Sequence, residues 1–196
     1  MSCTGILLAA GRGRRFDPSG LQNKLMQTLP DGEQLVLRSA RALAQALPDT
    51  LVVLRADADN LNALLDQAGL ISTRCPDAAA GMGHSLAHAI RLRAEAIGWI
   101  VALADMPQVQ SATIAALDAA IRAGADIAVP VYRNVRGNPV GFSRLHQQAL
   151  LRSHGDRGAR DLLHKFPVTE VAVDDPGIFF DVDLPDDLEK LRQSRF

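Results

Sequence analysis

The chain has 196 residues, of which 47% are hydrophobic and 22% charged, and its formal net charge is −1. This composition excludes disordered, collagen-like and coiled-coil proteins. The balanced charge gives no electrostatic reason to expect nucleic acid or a membrane as a partner. Aromatic residues make up only 4%, so few side chains are available to stack on bases. We predict one globular domain over residues 1–196.

The cysteines and the N-terminal segment predict a cytoplasmic protein. Cys3 and Cys75 lie far apart in the chain and belong to no Cys/His metal motif, so we expect two free, buried thiols in a reducing compartment. The apolar run Ile6–Ala10 is too short for a signal peptide and follows no basic residue. No other segment approaches the length of a membrane span.

Apolar strand-like runs alternate with segments of helical period along the first two thirds of the chain. Strands are predicted at Gly5–Ala10, Thr50–Arg55, Leu70–Arg74, Trp99–Ala104 and Ala125–Val131. Helices are predicted at Leu35–Leu47, Asn60–Ala68, Gly81–Ile97 and from Ser111 to a glycine stop at Gly124. Such alternation predicts a doubly wound α/β sheet, and the wholly apolar Trp99–Ala104 is typical of a central parallel strand.

The alternation changes after Pro130. A strand is predicted at Pro139–Ser143 and a helix at His146–Ser153, and the β segment Val168–Val173 is a candidate for an antiparallel strand. The last helix is predicted to begin at Pro185, because proline suits the first helical position and the acidic residues that follow suit the helix dipole.

A glycine-rich loop, Ala9–Arg15 (AAGRGRR), follows the first predicted strand. A Rossmann fingerprint would require glycine where Phe16 stands, and a Walker A motif would require a Gly-Lys pair, whereas Lys24 follows Asn23. Neither motif fits. The loop carries Arg12, Arg14 and Arg15. Three crowded arginines repel one another unless an anion neutralises them, which favours a polyphosphate over the alternative of a solvated basic turn.

Acidic residues follow a buried strand and precede the last helix. Asp105 comes directly after Trp99–Ala104 and is expected at the same sheet edge as the glycine loop. Asp181 and Asp183 lie in the stretch FDVDLPDDL before the final helix. Carboxylates from two regions of the chain, together with phosphate oxygens, are a usual way to assemble a Mg²⁺ site. The alternatives are a turn residue for Asp105 and a solvated acidic helix start for the rest.

Three further segments have more than one interpretation. The segment Gly81–Leu86 (GMGHSL) is a glycine-rich helix start whose backbone could approach a base or ribose. His84 and His88 lie four residues apart, but a metalloprotease motif would need Glu at Ser85, so an exposed histidine pair is predicted. The loops Arg136–Pro139 and Gly155–Arg160 are either simple turns or the lining of an acceptor pocket.

The order of these motifs resembles one known family. The segments LAAGRGRRF, Lys24, PDAAAGMGHSL, LADMP, RGNP and DVDLPDDL follow one another as in the MobA-like nucleotidyltransferases, above all the MocA-type molybdenum cofactor cytidylyltransferase branch. The resemblance extends from about Gly5 to Leu188. It implies a Rossmann-like three-layer α/β/α sandwich with a mostly parallel sheet and a small antiparallel addition. It also implies Mg²⁺-dependent transfer of a nucleoside monophosphate with release of pyrophosphate.

The resemblance assigns roles to residues of this chain. It implies that the nucleotide is bound by Ala9, Ala10, Gly11, Arg12, Gly13, Lys24, Gly81, Gly83 and Ser85. The catalytic residues would be Arg15, Lys24 and Asp105, and the Mg²⁺ ligands Asp105 and Asp183. Two departures stand out: the loop Phe16–Asn23 is longer than usual, which leaves the acceptor open, and Leu184 replaces the threonine that caps the last helix.

We therefore expect a cytidylyltransferase that transfers CMP from CTP to the phosphate of a molybdopterin-type acceptor. The methyl group of Ala10 narrows the base pocket and favours CTP over GTP. No general base is required, because a phosphomonoester is already ionised at pH 7. Transfer to another phosphorylated acceptor (a sugar, a polyol or a phospho-acid) remains open. So does a non-catalytic nucleotide-binding accessory protein whose partner is a molybdoenzyme or its chaperone.

Overall fold

The structure is a computed structural model that describes residues 2–155 and 159–193. In these residues one sheet contains eight strands. The strands are β1 (Thr4–Leu8), β2 (Thr50–Arg55), β3 (Ser72–Cys75), β4 (Gly98–Leu103), β5 (Ile127–Tyr132), β6 (Val135–Arg136), β7 (Val140–Ser143) and β8 (Val168–Ala172). The helices are α1 (Leu35–Ala46), α2 (Asp59–Gln67), α3 (Met82–Leu92), α4 (Ser111–Arg122), α5 (Gln147–Leu151), α6 (Arg160–Lys165) and α7 (Pro185–Gln193).

The strand order brings most carboxyl ends to one side of the sheet. The order is β3-β2-β1-β4-β7-β5-β6, and β8 also pairs with β5. Neighbouring strands from β3 to β4 are parallel, whereas β7 is antiparallel to both β4 and β5. Because β7 is antiparallel to both of its neighbours, β5 runs in the same direction as β4. The carboxyl ends of β1, β2, β4 and β5 therefore form one edge, which we call the carboxyl edge.

Both faces of the sheet are covered by helices. Along β1, Ile6 and Leu8 belong to the core under α3 and α5, whereas Leu7 belongs to the core under α1 and α4. On β4, Trp99 and Ile100 divide between the two cores in the same way, and both are fully buried. Strands buried on both faces must be apolar throughout, which is why β4 has no polar residue. The predicted three-layer α/β/α class, with its mostly parallel sheet and small antiparallel addition, is confirmed.

Two predictions about single elements were wrong. The segment at Val168 forms β8, but it pairs with β5 in parallel rather than antiparallel register. Strand β7 ends at Ser143 beside the start of β4, and β8 begins at Val168 beside the start of β5. Helices α5 and α6 therefore return the chain to the edge that it left, so β8 runs opposite to β7 and parallel to β5. Helix α3 ends at Leu92 and not at Ile97. Beyond that end, the carbonyl oxygens of residues 93 and 94 accept from the Trp99 indole and the Gln147 side-chain amide.

Cysteine and membrane-span predictions can also be compared with the structure. Cys3 and Cys75 are both buried and neither forms a disulfide, which agrees with the prediction of free thiols. Across residues 2–155 and 159–193, no helix has the length and apolar character needed to span a bilayer.

Candidate active site

A cleft of about 490 Å³ lies at the carboxyl edge, between the loop after β1, the start of α3 and the residue that follows β4. The predicted nucleotide-binding and catalytic residues that line it are Ala9, Ala10, Gly11, Arg12, Gly13, Lys24, Gly81, Ser85 and Asp105. The sheet topology explains this clustering, because parallel strands deliver their following loops to the same edge. Arg15, Gly83 and Asp183 do not line the cleft.

The glycine loop is fixed at its start and at its far end. The amide of Ala9 donates to the carbonyl oxygen of Val53 in the neighbouring strand, which continues the β-ladder into the loop. Gly13 has a φ of 60°, a left-handed conformation that glycine adopts without strain. Phe16 then inserts its ring into the core under α1 and is only 6% exposed. The position where a Rossmann fingerprint would have its third glycine is therefore used as a hydrophobic anchor.

The long Phe16–Asn23 loop is organised by one carboxylate. Asp17 accepts hydrogen bonds from the amide and hydroxyl of Ser19 and from the amide of Gln22. These bonds, with the Ser19 hydroxyl as the largest contribution, lower the pKa of Asp17. The loop ends at Asn23, whose side chain accepts from the amide of Leu25. This cap starts the short 3₁₀ turn Lys24–Met26 and orients Lys24 toward the cleft.

Lys24 joins the two predicted metal-ligating carboxylates. Its Nζ lies 2.8 Å from Asp105 Oδ2 and 3.2 Å from Asp183 Oδ1, and its side chain is only 10% exposed. Asp105 is fixed by its backbone, because its carbonyl oxygen accepts from the amide of Val182. That single bond brings the chain before α7 to the end of β4. The structure thus places Asp105 and Asp183 side by side, as the resemblance implied.

Arg15 extends this charged network toward solvent. Its guanidinium lies 2.5 Å from Asp183 Oδ2, and its side chain is 78% exposed. Arg15 was predicted to act at the triphosphate, whereas in this structure it pairs with a predicted metal ligand instead. Asp183 therefore contacts two cations, one nearly buried and one exposed. An exposed ion pair of this kind contributes at most about 1 kcal/mol to stability.

Asp187, in the first turn of α7, hydrogen-bonds back to the chain that enters the helix. Its carboxylate accepts from the amides of Asp183 and Leu184, at 3.0 and 2.8 Å. These bonds tie the entering chain to the helix, as the acidic half of a capping box does; they do not serve the first-turn amides from which a threonine at position 184 would accept. The same bonds fix the backbone of Asp183, so the first turn of the last helix helps to position a site residue.

Asp181 lies near the same carboxylates. Burial raises the pKa of Asp181, and the neighbouring charges of Asp183 and Asp105 add to the effect. The residues that the structure describes nevertheless contain no group of three or more acidic, histidine or cysteine side chains arranged to hold a metal. Any cation at this site would therefore take further ligands from the substrate or from water.

The glycines of the GMGHSL segment serve chain packing as well as the cleft. Gly81 lines the cleft, and a Cβ on it would lie 2.4 Å from the backbone of Gly155. Gly83 is buried, its amide donates to the Gly155 carbonyl oxygen, and a Cβ there would lie 2.6 Å from the backbone of His154. The close approach that these glycines permit is thus to the loop after α5. Ser85, one turn into the helix, does line the cleft.

The histidine pair is not exposed as predicted. His84 and His88 are both partly buried, and His88 Nε2 lies 3.1 Å from the hydroxyl of Thr73 in β3. Burial lowers the pKa of His88. The pair was missed because helical period alone does not show that α3 packs this face against β3.

The two late loops have different outcomes. Arg136 of the first loop belongs to β6 and pairs with Glu170 at 2.7 Å, and Gly137 packs against Ile178. Of the second loop, residues 156–158 lie outside the described residues. The cleft also includes residues for which no role was predicted. These are Leu8, Leu25, Ala78, Ala79, Met82, Leu103 and Ala104, whereas Arg14, which also lines the cleft, was predicted as part of the arginine-bearing loop. Their adjacency to the predicted motifs was the available signal.

Comparison with known proteins agrees with this geometry. A family model described as the MobA-like NTP transferase domain matches residues 5–171. Rv0371c from Mycobacterium tuberculosis H37Rv is 30% identical, with 100% of both chains covered and a TM-score of 0.80. The same mycobacterial protein solved in complex with manganese is 29% identical, with 100% of both chains covered and a TM-score of 0.78.

A more distant structure shares the fold. The molybdopterin-guanine dinucleotide biosynthesis protein A from Archaeoglobus fulgidus is 20% identical, with 97% of both chains covered and a TM-score of 0.70. No curated protein matches the chain. The family match spans most of the sequence, and a relative at 30% identity aligns over its whole length. The chain therefore belongs to the family of MobA-like NTP transferase domains.

Proposed function

We propose that the protein transfers CMP from CTP to the phosphate of a molybdopterin-type acceptor and releases pyrophosphate. The observation that carries this proposal is the arrangement at the carboxyl edge. A glycine-rich, arginine-bearing loop and two adjacent carboxylates meet there around a nearly buried lysine. The first feature suits a polyphosphate chain, and the second suits a divalent cation that accompanies it.

The charges of the chain suit the transfer of a nucleotidyl group. In such a reaction the acceptor oxygen attacks the α-phosphorus in line with the departing pyrophosphate, so most of the catalysis is positioning and charge neutralisation. Arg12, Arg14 and Lys24 line the cleft and would bind the triphosphate. Arg15 would join them once it leaves Asp183. The acceptor phosphate needs no base, because its second pKa is near 6.

Asp105 and Asp183 fit a hard divalent cation, and we propose Mg²⁺. Their oxygens already surround one positive charge, the Lys24 ammonium, and Asp105 Oδ1 is buried with no hydrogen-bond partner among the described residues. A related structure at 29% identity contains manganese, which takes the same oxygen ligands. When bound, the cation would neutralise charge on the phosphates, and the two aspartates would orient it.

Ala10 supports the choice of base. It lines the cleft and is 9% exposed, so its methyl group occupies space that glycine would leave to a larger base. The acceptor is supported by the motif order and, at the level of the fold, by the archaeal relative. The assignment of residues 1–196 to one domain stays a prediction.

The proposal can be tested in two steps. Thermal unfolding in the presence of each of the four NTPs with Mg²⁺ should show the largest stabilisation with CTP, because a ligand at about 100 times its Kd stabilises by roughly 2.7 kcal/mol. Pyrophosphate release should then require CTP, Mg²⁺ and molybdopterin together. Greater stabilisation by GTP would contradict the choice of base. Pyrophosphate release with a sugar or polyol phosphate would identify a different acceptor. Nucleotide binding without pyrophosphate release would indicate an accessory protein.

A further inference from the structure

The Lys24 ammonium occupies the space between the two carboxylates that we assign to the metal. It contacts one oxygen of each, at 2.8 and 3.2 Å, from a side chain that is 10% exposed. Each carboxylate is itself 24% exposed, so solvent screens these pairs less than it screens surface pairs. In the free protein, Lys24 therefore pairs with Asp105 and Asp183 within one partly buried cluster of charges.

A divalent cation would compete with Lys24 for the same oxygens. Asp183 uses Oδ1 for Lys24 and Oδ2 for Arg15, and Asp105 uses Oδ2 for Lys24. Only Asp105 Oδ1 has no partner among the described side-chain and backbone groups around it. Two positive charges within a few ångströms repel each other strongly where water is scarce. A cation that binds both aspartates must therefore displace the ammonium.

The Lys24 side chain can move from the carboxylates into the cleft. It lines the same cleft as Arg12 and Arg14, and its ammonium sits on a flexible four-carbon stem. A triphosphate in the cleft offers it oxygens that replace the two carboxylates. Without a triphosphate, displacement would leave a nearly buried ammonium without an anionic partner, which is costly.

We propose that Lys24 is an exchangeable internal counter-ion of the metal site, which makes binding of the metal and of the nucleotide mutually dependent. Free metal binds weakly because Lys24 holds one oxygen of each carboxylate and, together with Arg15, balances their charge. A triphosphate draws Lys24 away and exposes the carboxylates, so each ligand raises the affinity for the other by the same factor. This inference rests on the proposed function, which assigns the metal to these two aspartates.

The test measures Mn²⁺ binding without nucleotide, with electron paramagnetic resonance of the free ion as the readout. The substitution Lys24→Met removes the ammonium and keeps a side chain of similar length. We expect this variant to bind Mn²⁺ at least ten times more tightly than the wild type does. Lys165→Met is the matched control, because it makes the same charge change at an exposed position on α6. It should bind Mn²⁺ as the wild type does.

Thermal unfolding provides a second readout if Lys24→Met is poorly stable. Without the ammonium the two carboxylates repel each other, so added Mn²⁺ should raise the Tm of this variant more than that of the wild type. Equal or weaker Mn²⁺ binding by Lys24→Met would overturn the inference. Adding Asp105→Asn to the Lys24→Met variant should abolish the gain in Mn²⁺ affinity. If it leaves tight binding intact, the metal lies elsewhere, and the proposed metal site fails with the inference.

Discussion

Replacing Asp105 by asparagine separates the chemistry of the site from its stability. The amide keeps the shape of the side chain and removes its charge, so the fold has no steric reason to change. In the free protein Lys24 Nζ lies 2.8 Å from the Asp105 carboxylate. Two adjacent carboxylates with no cation between them would repel each other, and neutralising one of them would then stabilise the protein. The lysine between them reverses that expectation, because Asp105→Asn now weakens an ion pair.

The size of each effect follows from this geometry. A hydrogen bond to a charged group contributes about 1.5–3 kcal/mol, and the amide oxygen retains part of it, so we expect a loss of about 1–2 kcal/mol. For a domain of this size the Tm should fall by roughly 2–8 °C. Turnover should fall at least about 100-fold, which is about 2.7 kcal/mol in the activation barrier.

Pyrophosphate release and calorimetric unfolding measure the two quantities on the same sample. Asp57→Asn is the matched control, because Asp57 pairs with Arg55 and its side chain is 73% exposed. The control should leave turnover unchanged and lower stability by less than about 1 kcal/mol. Turnover of Asp105→Asn near the wild-type value would refute the catalytic role. A Tm equal to that of the wild type would refute the ion-pair argument.

Three further changes test other parts of the structure. Ala10→Gly should raise the kcat/KM for GTP relative to CTP in pyrophosphate-release assays, because it enlarges the base pocket; an unchanged ratio would separate Ala10 from base selection. Gly83→Ala should lower the free energy of unfolding by at least about 2 kcal/mol in urea, since its Cβ would lie 2.6 Å from the His154 backbone. Gly11→Ala should change the free energy of unfolding far less, because a Cβ on Gly11 would have no atom within 4 Å. Burial lowers the pKa of His146, whose Nε2 has no partner in the described part of the chain. Because the unfolded chain takes up the proton near pH 6.5, stability should fall as the pH drops below about 6.5, and His146→Phe should lessen this loss; an equal loss in both proteins would exclude His146 as its source.

The sequence by itself determined the sheet and the location of the site. Strand β4 is apolar throughout, and β1 and β2 carry polar residues only at their ends (Thr4, Thr50 and Arg55), a pattern that burial on both faces requires. Parallel strands place their following loops at one edge, so the sequence suffices to assign the glycine loop and Asp105 to the same edge of the sheet. The order of the motifs identified the family.

Only the tertiary structure decided how the charges pair and how the late segments pack. Whether Lys24 faces solvent, phosphate or Asp183 depends on a hydrogen bond between residues far apart in the chain, Val182 and Asp105. The direction of β8 depends on α5 and α6, which return the chain to the edge where β7 ends. The burial of His88 depends on β3. The period of a sequence reports which face of an element is apolar, but it does not report which partner covers that face. For this reason the pairing of Lys24 with Asp105 and Asp183 can be read only from the tertiary structure.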